Sequence, residues 1–323
     1  MLPNYYTPKD EEFFKGKTVL LTGGNGFLGK YVKQELAQLK PKKIIIPDSK
    51  KDDLRIAKNI KRLLENVDIV IHLAANVGGI EYNKKYPGTL FYENLIMGVQ
   101  LMEEARKANV KKFVALGTIC AYPKFAPIPF REEDIWNGYP EETNAPYGLA
   151  KKMLLVQSQA YRSQFEFNSI YLLPVNLYGP GDNFNEKSSH VIPALIKKIE
   201  AAKKAGIPKV EVWGTGKATR EFLYVKDCAR AIVLATSRYE SSDPVNLGAG
   251  FEISIKDLAS KIKKICKYDG DLKFDTDMPD GQPRRMLDTK KAVKGFGFKA
   301  KTPFSTGLKN TVEWYRENYK KLI

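Results

Sequence analysis

Short apolar runs recur along most of the chain, with longer stretches of helical character between them. The runs are Thr18 to Thr22, Lys43 to Pro47, Ile69 to Ala75, Phe113 to Gly117, Ser169 to Pro174 and Val245 to Gly248. They are rich in Val, Ile and Leu without polar alternation, which is the pattern of strands covered on both faces. Strands of this kind alternating with helices predict an α/β fold: a doubly wound parallel sheet whose ligands lie beyond the carboxyl ends of its strands. After about Asn176 the rhythm loosens and Gly and Pro become frequent, so that Tyr178 to Gly216 and Phe251 to Ile323 read as irregular loops with helices. The expected division is a sheet domain over 15–175 with a return segment at about 220–250, and a smaller interleaved C-terminal substrate lobe over 176–219 and 251–323. No internal repeat or low-complexity linker separates the two.

Composition narrows the function classes. With 323 residues, 43% of them hydrophobic, the chain can bury a substantial core, which argues against a disordered or fibrous protein. No apolar run approaches the roughly 18 residues that span a bilayer, and the opening MLPNYYTPKDEEFFKGK is too polar and acidic for a secretory signal. The cytoplasm is the expected location. Cys120, Cys228 and Cys266 are widely spaced and read as free thiols, and with only His72 and His190 beside them no metal is expected. The 53 Lys and Arg against 37 Asp and Glu give a net charge of +16. That excess is scattered through helical segments such as Lys197/Lys198, Lys203/Lys204 and Lys261/Lys263/Lys264. Solvated helix faces explain it better than a nucleic-acid partner, and the same sign attracts an anionic small substrate.

The segment KTVLLTGGNGFLGKYV places Gly23, Gly26 and Gly29 between a strand and a helix. Glycines allow the tight turn and bring backbone amides, here with Asn25, Phe27 and Leu28, close to a pyrophosphate at a helix N-terminus. With a strand before it and a helix after it, the loop predicts a Rossmann-type dinucleotide site. Asp48 follows the second strand where an acid would bond the ribose hydroxyls of NAD. Ser49, Lys50 and Lys51 follow at once and would hold a 2′-phosphate, so NADP is favoured and NAD stays open. Asp53 and Leu54 would border the adenine, and Leu73, Ala74 and Ala75 would pass beside the cofactor. Pro174 at the end of the fifth strand, Asn176 and Leu177 beyond it, and His190 would complete its wall.

In NAPYGLAKK, Tyr147 and Lys151 stand four apart, on one face of a helix that Pro146 suits in its first turn and that Thr143 or Asn144 would cap. A lysine ammonium favours ionisation of the phenol, so that the tyrosine can exchange a proton with a substrate oxygen. His72, inside an apolar strand, reads as a core histidine.

This order of glycine loop, strand-end hydroxyl at Thr118 and Tyr-x-x-x-Lys resembles the extended short-chain dehydrogenases. Seven segments resemble, more narrowly, the GDP-L-fucose synthases: HLAANVGGIEYNKKYP, FYENL, CAYPK, NLYGPGDNF, SSHVIPALIKK, VWGTGKATREFLYVKD and PDGQPRRMLD, spread from residue 72 to 288. The resemblance implies 3,5-epimerisation and 4-keto reduction of GDP-4-keto-6-deoxy-mannose. It implies that Thr118 polarises the ketone, Tyr147 donates the proton, Lys151 holds tyrosine and cofactor ribose, and Cys120 and His190 are the epimerisation acid and base. On the substrate side it implies Asn83, Val77 to Gly79, Asn176 and Lys197 or Lys198 facing the nucleotide sugar, Trp213 in the base pocket, and Arg220 with Arg284 or Arg285 on the diphosphate. It also implies a homodimer through helices around Leu95 to Lys107 and Lys151 to Ser163. Two positions depart from the family: the loop GGNGFLG has Asn25 where those enzymes carry a basic residue, and Thr118 replaces a serine. Two enzymatic alternatives stay open, an epimerase or 4-reductase of another GDP-sugar (heptose or dideoxy) and a UDP-sugar 4-epimerase with NAD, which Asp48 favours. Thr118, Tyr147 and Lys151 argue against a non-enzymatic dinucleotide sensor.

Overall fold

The computed structural model describes residues 5–185, 188–278 and 280–318; Pro279 and 319–323, which belong to the expected smaller lobe, lie outside the described residues. Along the chain the strands are β1 (Thr18–Thr22), β2 (Lys43–Ile45), β3 (Ile69–His72), β4 (Lys112–Leu116), β5 (Ser169–Pro174), β6 (Asn176–Tyr178) and β7 (Lys209–Trp213). They continue with β8 (Thr219–Arg220), β9 (Phe222–Tyr224), β10 (Val245–Leu247), β11 (Ile253–Ser254), β12 (Asp271–Asp275) and β13 (Arg284–Arg285). The helices are α1 (Pro8–Phe14), α2 (Phe27–Gln38), α3 (Ala57–Leu63), α4 (Ile80–Lys85), α5 (Pro87–Lys107) and α6 (Ala145–Phe165). After them come α7 (Val191–Ala205), α8 (Val225–Arg238), α9 (Ile255–Cys266), α10 (Lys290–Phe296) and α11 (Phe304–Asn318).

All six apolar runs enter one sheet in the spatial order β10-β5-β4-β3-β1-β2, with every neighbouring pair parallel. Strands β1, β3, β4, β5 and β10 are buried along their whole lengths, as their unbroken apolar character requires. Three are shorter than the sequence predicts: β2 stops at Ile45, two residues before Pro47, which has no N–H to give a ladder, β3 stops at His72 and β10 at Leu247. Because β1 lies between β2 and β3, the crossovers change direction there, and the crevice at that switch point opens beyond Thr22 and His72. No described helix is long and apolar enough to cross a membrane.

A second core gathers Tyr178, Ile196, Val212, Leu258, Ile262 and Leu308, from the region of α7, α9 and α11. Strand β9 is the seam between the two cores. Phe222 and Tyr224 point into the second core and Leu223 into the first, the two-residue alternation of a strand serving both. Beside it, β8 is flanked by β11 and β13, with Arg220 in register with Arg285.

Candidate active site

Beyond the carboxyl ends of β1, β3, β4 and β5 lies a cavity of about 970 Å³. Its floor is the glycine loop. Gly23 has a left-handed φ of +70°, and a Cβ there would lie 2.8 Å from the Ala74 amide nitrogen. A Cβ on Gly29 would lie 2.1 Å from the Gly23 carbonyl oxygen, so only glycine lets α2 sit this close to the loop. The start of α2 therefore faces the cavity through Gly26, Phe27 and Leu28, and its amides and dipole favour an anion there. A pyrophosphate fits this cradle.

At one end of the cavity Asp48, Ser49, Asp53 and Leu54 form the wall. The Asp48 carboxylate accepts from the Lys50 amide at 3.0 Å, fixing the turn after β2. Lys50 is exposed and its side chain is not part of the wall. The cation that does line this end is Arg55, which the sequence reading missed although it directly follows Asp53 and Leu54. Its guanidinium holds Asp53 through Nε at 3.0 Å and Nη2 at 2.8 Å, and reaches Glu93 with Nη1 at 2.5 Å. These hydrogen bonds lower the Asp53 pKa.

At the centre stand Tyr147 and Lys151, on α6 as the spacing predicts. The expected caps are corrected: Thr143 donates to Glu141 at 2.7 Å and the Asn144 amide also bonds Glu141, so neither side chain caps the helix. Asn144 accepts from Asn83 at 3.1 Å, which ties α4 to the start of α6. Burial, and then the nearby Cys120, push the Tyr147 phenol up, while a hydrogen bond with Thr118 acts the other way. Lys151 is 2% exposed, and burial lowers its pKa to about 8. Under it, the Tyr171 hydroxyl donates to the Lys151 carbonyl at 2.9 Å. The Thr118 hydroxyl accepts from the Cys120 amide at 3.2 Å and so starts the short turn that brings Cys120 to the cavity wall.

His190 joins the same wall just before α7, and desolvation lowers its pKa. Its loop is held at both ends: Gly79 donates to the Ser188 carbonyl at 3.2 Å, and Tyr31 on α2 donates to the Pro180 carbonyl at 2.7 Å. Asp182, in this loop, is a wall residue the sequence reading missed; burial pushes its carboxyl up to about 7. Ala74, Ala75, Leu73, Pro174, Leu177 and Asn176 complete the lining, with the Asn176 amide donating to the Glu221 carbonyl at 3.1 Å. His72 is buried in β3, 2.8 Å from the Thr22 hydroxyl, and burial holds it neutral.

The remaining substrate-side candidates lie off this cavity. Arg285 brings Nη1 to 3.7 Å from Cys120 Sγ, and Arg220 donates to the Asp280 carbonyl at 3.1 Å. Trp213, at the end of β7, is half-exposed beneath the Lys198 ammonium, 5.2 Å from its ring centre. Asp280 links these groups, since its carboxylate accepts from the Thr215 amide at 2.8 Å, two residues beyond Trp213. Arg284 is exposed and paired with Glu252. Among the described residues no cluster could hold a metal ion.

The sequence pattern of the NAD dependent epimerase/dehydratase family matches residues 19–248. A GDP-L-fucose synthase of Sinorhizobium fredii is 38% identical over 305 residues, 94% of this chain and 96% of that one. A GDP-L-fucose synthetase from Naegleria fowleri bound to NADP superposes with a TM-score of 0.86 at 32% identity, over 94% of both chains. A GDP-6-OMe-4-keto-L-xylo-heptose reductase from C. jejuni gives a TM-score of 0.88 at 26% identity, covering 94% of this chain and 98% of its own.

Proposed function

The chain belongs to the NAD dependent epimerase/dehydratase family, and from that premise we propose that it is an NADP-dependent enzyme converting GDP-4-keto-6-deoxy-mannose into GDP-L-fucose by 3,5-epimerisation and 4-keto reduction. The relatives named as GDP-L-fucose synthases, matched over nearly their full length, support the substrate, and the NADP-bound Naegleria fowleri structure supports the cofactor. The observation that carries the reading is that Cys120, Tyr147, Lys151 and His190 line one cavity with the glycine loop.

In this reading the start of α2 holds the cofactor's pyrophosphate, and Asp48, Ser49, Asp53, Leu54 and Arg55 enclose its adenosine end. Bound NADPH supplies the hydride for reduction at C4. The C4 ketone acidifies the protons on C3 and C5, and Cys120 and His190 remove and return them. Thr118 and Tyr147, already hydrogen-bonded to each other, hold the ketone oxygen, and Tyr147 gives it a proton while the Lys151 ammonium stabilises the resulting phenolate. The nucleotide half of the substrate extends past Arg220 towards Trp213 and Lys198, with Asn83 on the sugar side. The 15–175 sheet domain carries the cofactor, and the interleaved lobe closes over the sugar nucleotide.

The test is to incubate the protein with the keto sugar in deuterated buffer, with and without NADPH, and read the sugar by NMR. Deuterium at C3 and C5 with NADPH-dependent GDP-fucose is the expected result. Reduction without exchange would instead identify a 4-reductase of another GDP-sugar, the reading that similarity to the C. jejuni heptose reductase favours.

The enzyme acts in the cytoplasm as a homodimer joined through α5 and α6, where Tyr92 and Val156 are exposed apolar residues on helices that pack on each other. Light scattering of Val156→Arg checks this: a mass unchanged from the unsubstituted protein would defeat the interface.

A further inference from the structure

Arg285 stands differently from a diphosphate clamp. Its Nη1 lies 3.7 Å from Cys120 Sγ, while its Nε donates to Gln282 Oε1 at 2.7 Å. Gln282 is held in turn, its amide donating to the Lys124 carbonyl at 2.7 Å. Both side chains are buried, at 9% and 7% exposure, so the guanidinium is fixed in direction. Strand register sets Arg220 beside it. Like charges on adjacent strands repel, and the effect is visible on Arg220: burial, then Arg285, lower its pKa to about 10, whereas Asp280, Cys120 and Glu141 act in the opposite sense. Two arginines therefore share one anion-favouring corner. Arg285 makes no ion pair with a described residue. Glu141, the carboxylate nearest to balancing it, is engaged by Thr143 and Asn144. The groups around Cys120 are thus Arg285 from β13, Arg220 from β8 and the neutral phenol of Tyr147 from α6.

We infer that Arg285 is the positioning residue for the proton chemistry of Cys120: it aims Sγ at the sugar and offsets the negative charge on sulfur whenever the thiol has given up its proton. The inference rests on Cys120 being the proton carrier proposed above. In each transfer a proton moves between Sγ and ring carbon: when carbon gains the C–H bond, sulfur keeps the S–H electron pair as thiolate, and no group is oxidised or reduced. A guanidinium suits this place because it stays charged throughout and does not compete as a base. Arg220 sits one strand further away and adds a weaker field of the same sign.

The experiment is alkylation of the full-length protein with iodoacetamide over a pH series, with Cys120 followed by peptide mass spectrometry. Cys228 and Cys266 are buried and serve as internal references. In Arg285→Gln the alkylation of Cys120 at neutral pH should slow several-fold, and C3/C5 exchange should fall by a similar factor with NADPH affinity unchanged. Arg285→Lys, which keeps the charge, should retain most of the wild-type profile. An unmoved profile in Arg285→Gln, or a Lys variant that behaves like the Gln variant, would overturn the inference. If instead Cys120→Ser keeps full exchange, it is the proposed role of Cys120 that fails.

Discussion

Tyr147 and Lys151 stand on a helix of 21 residues, Ala145–Phe165, whereas Arg220 and Arg285 stand on strands of two residues each. The cofactor side of the cavity and the arginine corner next to it are built on different terms. On the cofactor side, a strand, a glycine turn and a helix follow one another in the chain, so the geometry is set within about thirty residues, as in any βαβ unit. In the arginine corner, Cys120, Arg220 and Arg285 meet because β8 and β13 pair across 65 residues of chain, and because Glu221 pins the joint. That carboxylate accepts from the amides of Ala249, Gly250 and Leu287 at 2.6, 2.7 and 2.7 Å. The first side is therefore stiff and local, and the second depends on long-range closure.

The comparison can be broken first at its centre. In the mechanism proposed above Tyr147 hands a proton to the ketone oxygen from α6, so in Tyr147→Phe NADPH-dependent reduction should fall by roughly 10² to 10⁴. Exchange of deuterium into C3 and C5, which uses the other side, should fall far less; equal losses in single-turnover NMR would show that the two sides do not divide the work. The next largest effect belongs to the local side alone. Gly29→Ala sets a Cβ 2.1 Å from the Gly23 carbonyl, and relieving that overlap at a typical ~1–3 kcal/mol must displace the loop or α2. NADPH affinity measured by titration should drop about tenfold to a hundredfold, and a variant that binds as well as the parent would mean that the loop has room to give.

How much was legible in the sequence follows the same division. The six strands and their order of appearance came from apolar runs, and Gly23, Gly29, Tyr147 and Lys151 from spacing, because each is a short-range pattern. Three local readings still went astray for identifiable reasons. Lys50 is named and Arg55 is not, because charge next to β2 is counted without knowing which way the turn points; Asp48 bonding the Lys50 amide fixes that turn. Thr143 and Asn144 have capping side chains, yet Glu141 takes both. Asp182 lies inside a quoted motif that gives no sign of its burial, since burial is decided by packing between segments far apart in the chain. On the far side, Arg220 and Arg285 were legible as cations and not as neighbours of each other or of Cys120, which only the β8–β13 pairing reveals.

A pH profile sharpens the contrast further. Burial holds the Lys151 pKa near 8, so its ammonium is present below that pH and lost as pH rises through it. For free enzyme, kcat/KM for reduction should fall about tenfold per unit above pH ~8, and Lys151→Met should flatten that limb at a lower plateau. Unfolding does not explain such a fall. Between about 8 and the usual lysine value the unfolded chain binds more protons than the native one, so this residue's contribution to stability rises with pH in that window. An alkaline limb that persists unchanged in Lys151→Met would assign it to another group.

The smallest effect should come from the outermost point of the long-range side. Trp213 is 46% exposed, with the Lys198 ammonium over one face. A purine stacked there has solvent on its edge, so the gain sits at the low end of base-on-aromatic stacking, about 1 kcal/mol. Trp213→Ala should accordingly raise the KM for the GDP-sugar about fivefold while leaving NADPH affinity and the rate at saturation unchanged. Because Trp213 leads through Thr215 and Asp280 to Arg220, a KM that does not move would mean that the substrate's base leaves the cavity by another route, and the line from Cys120 through the two arginines would end at the sugar.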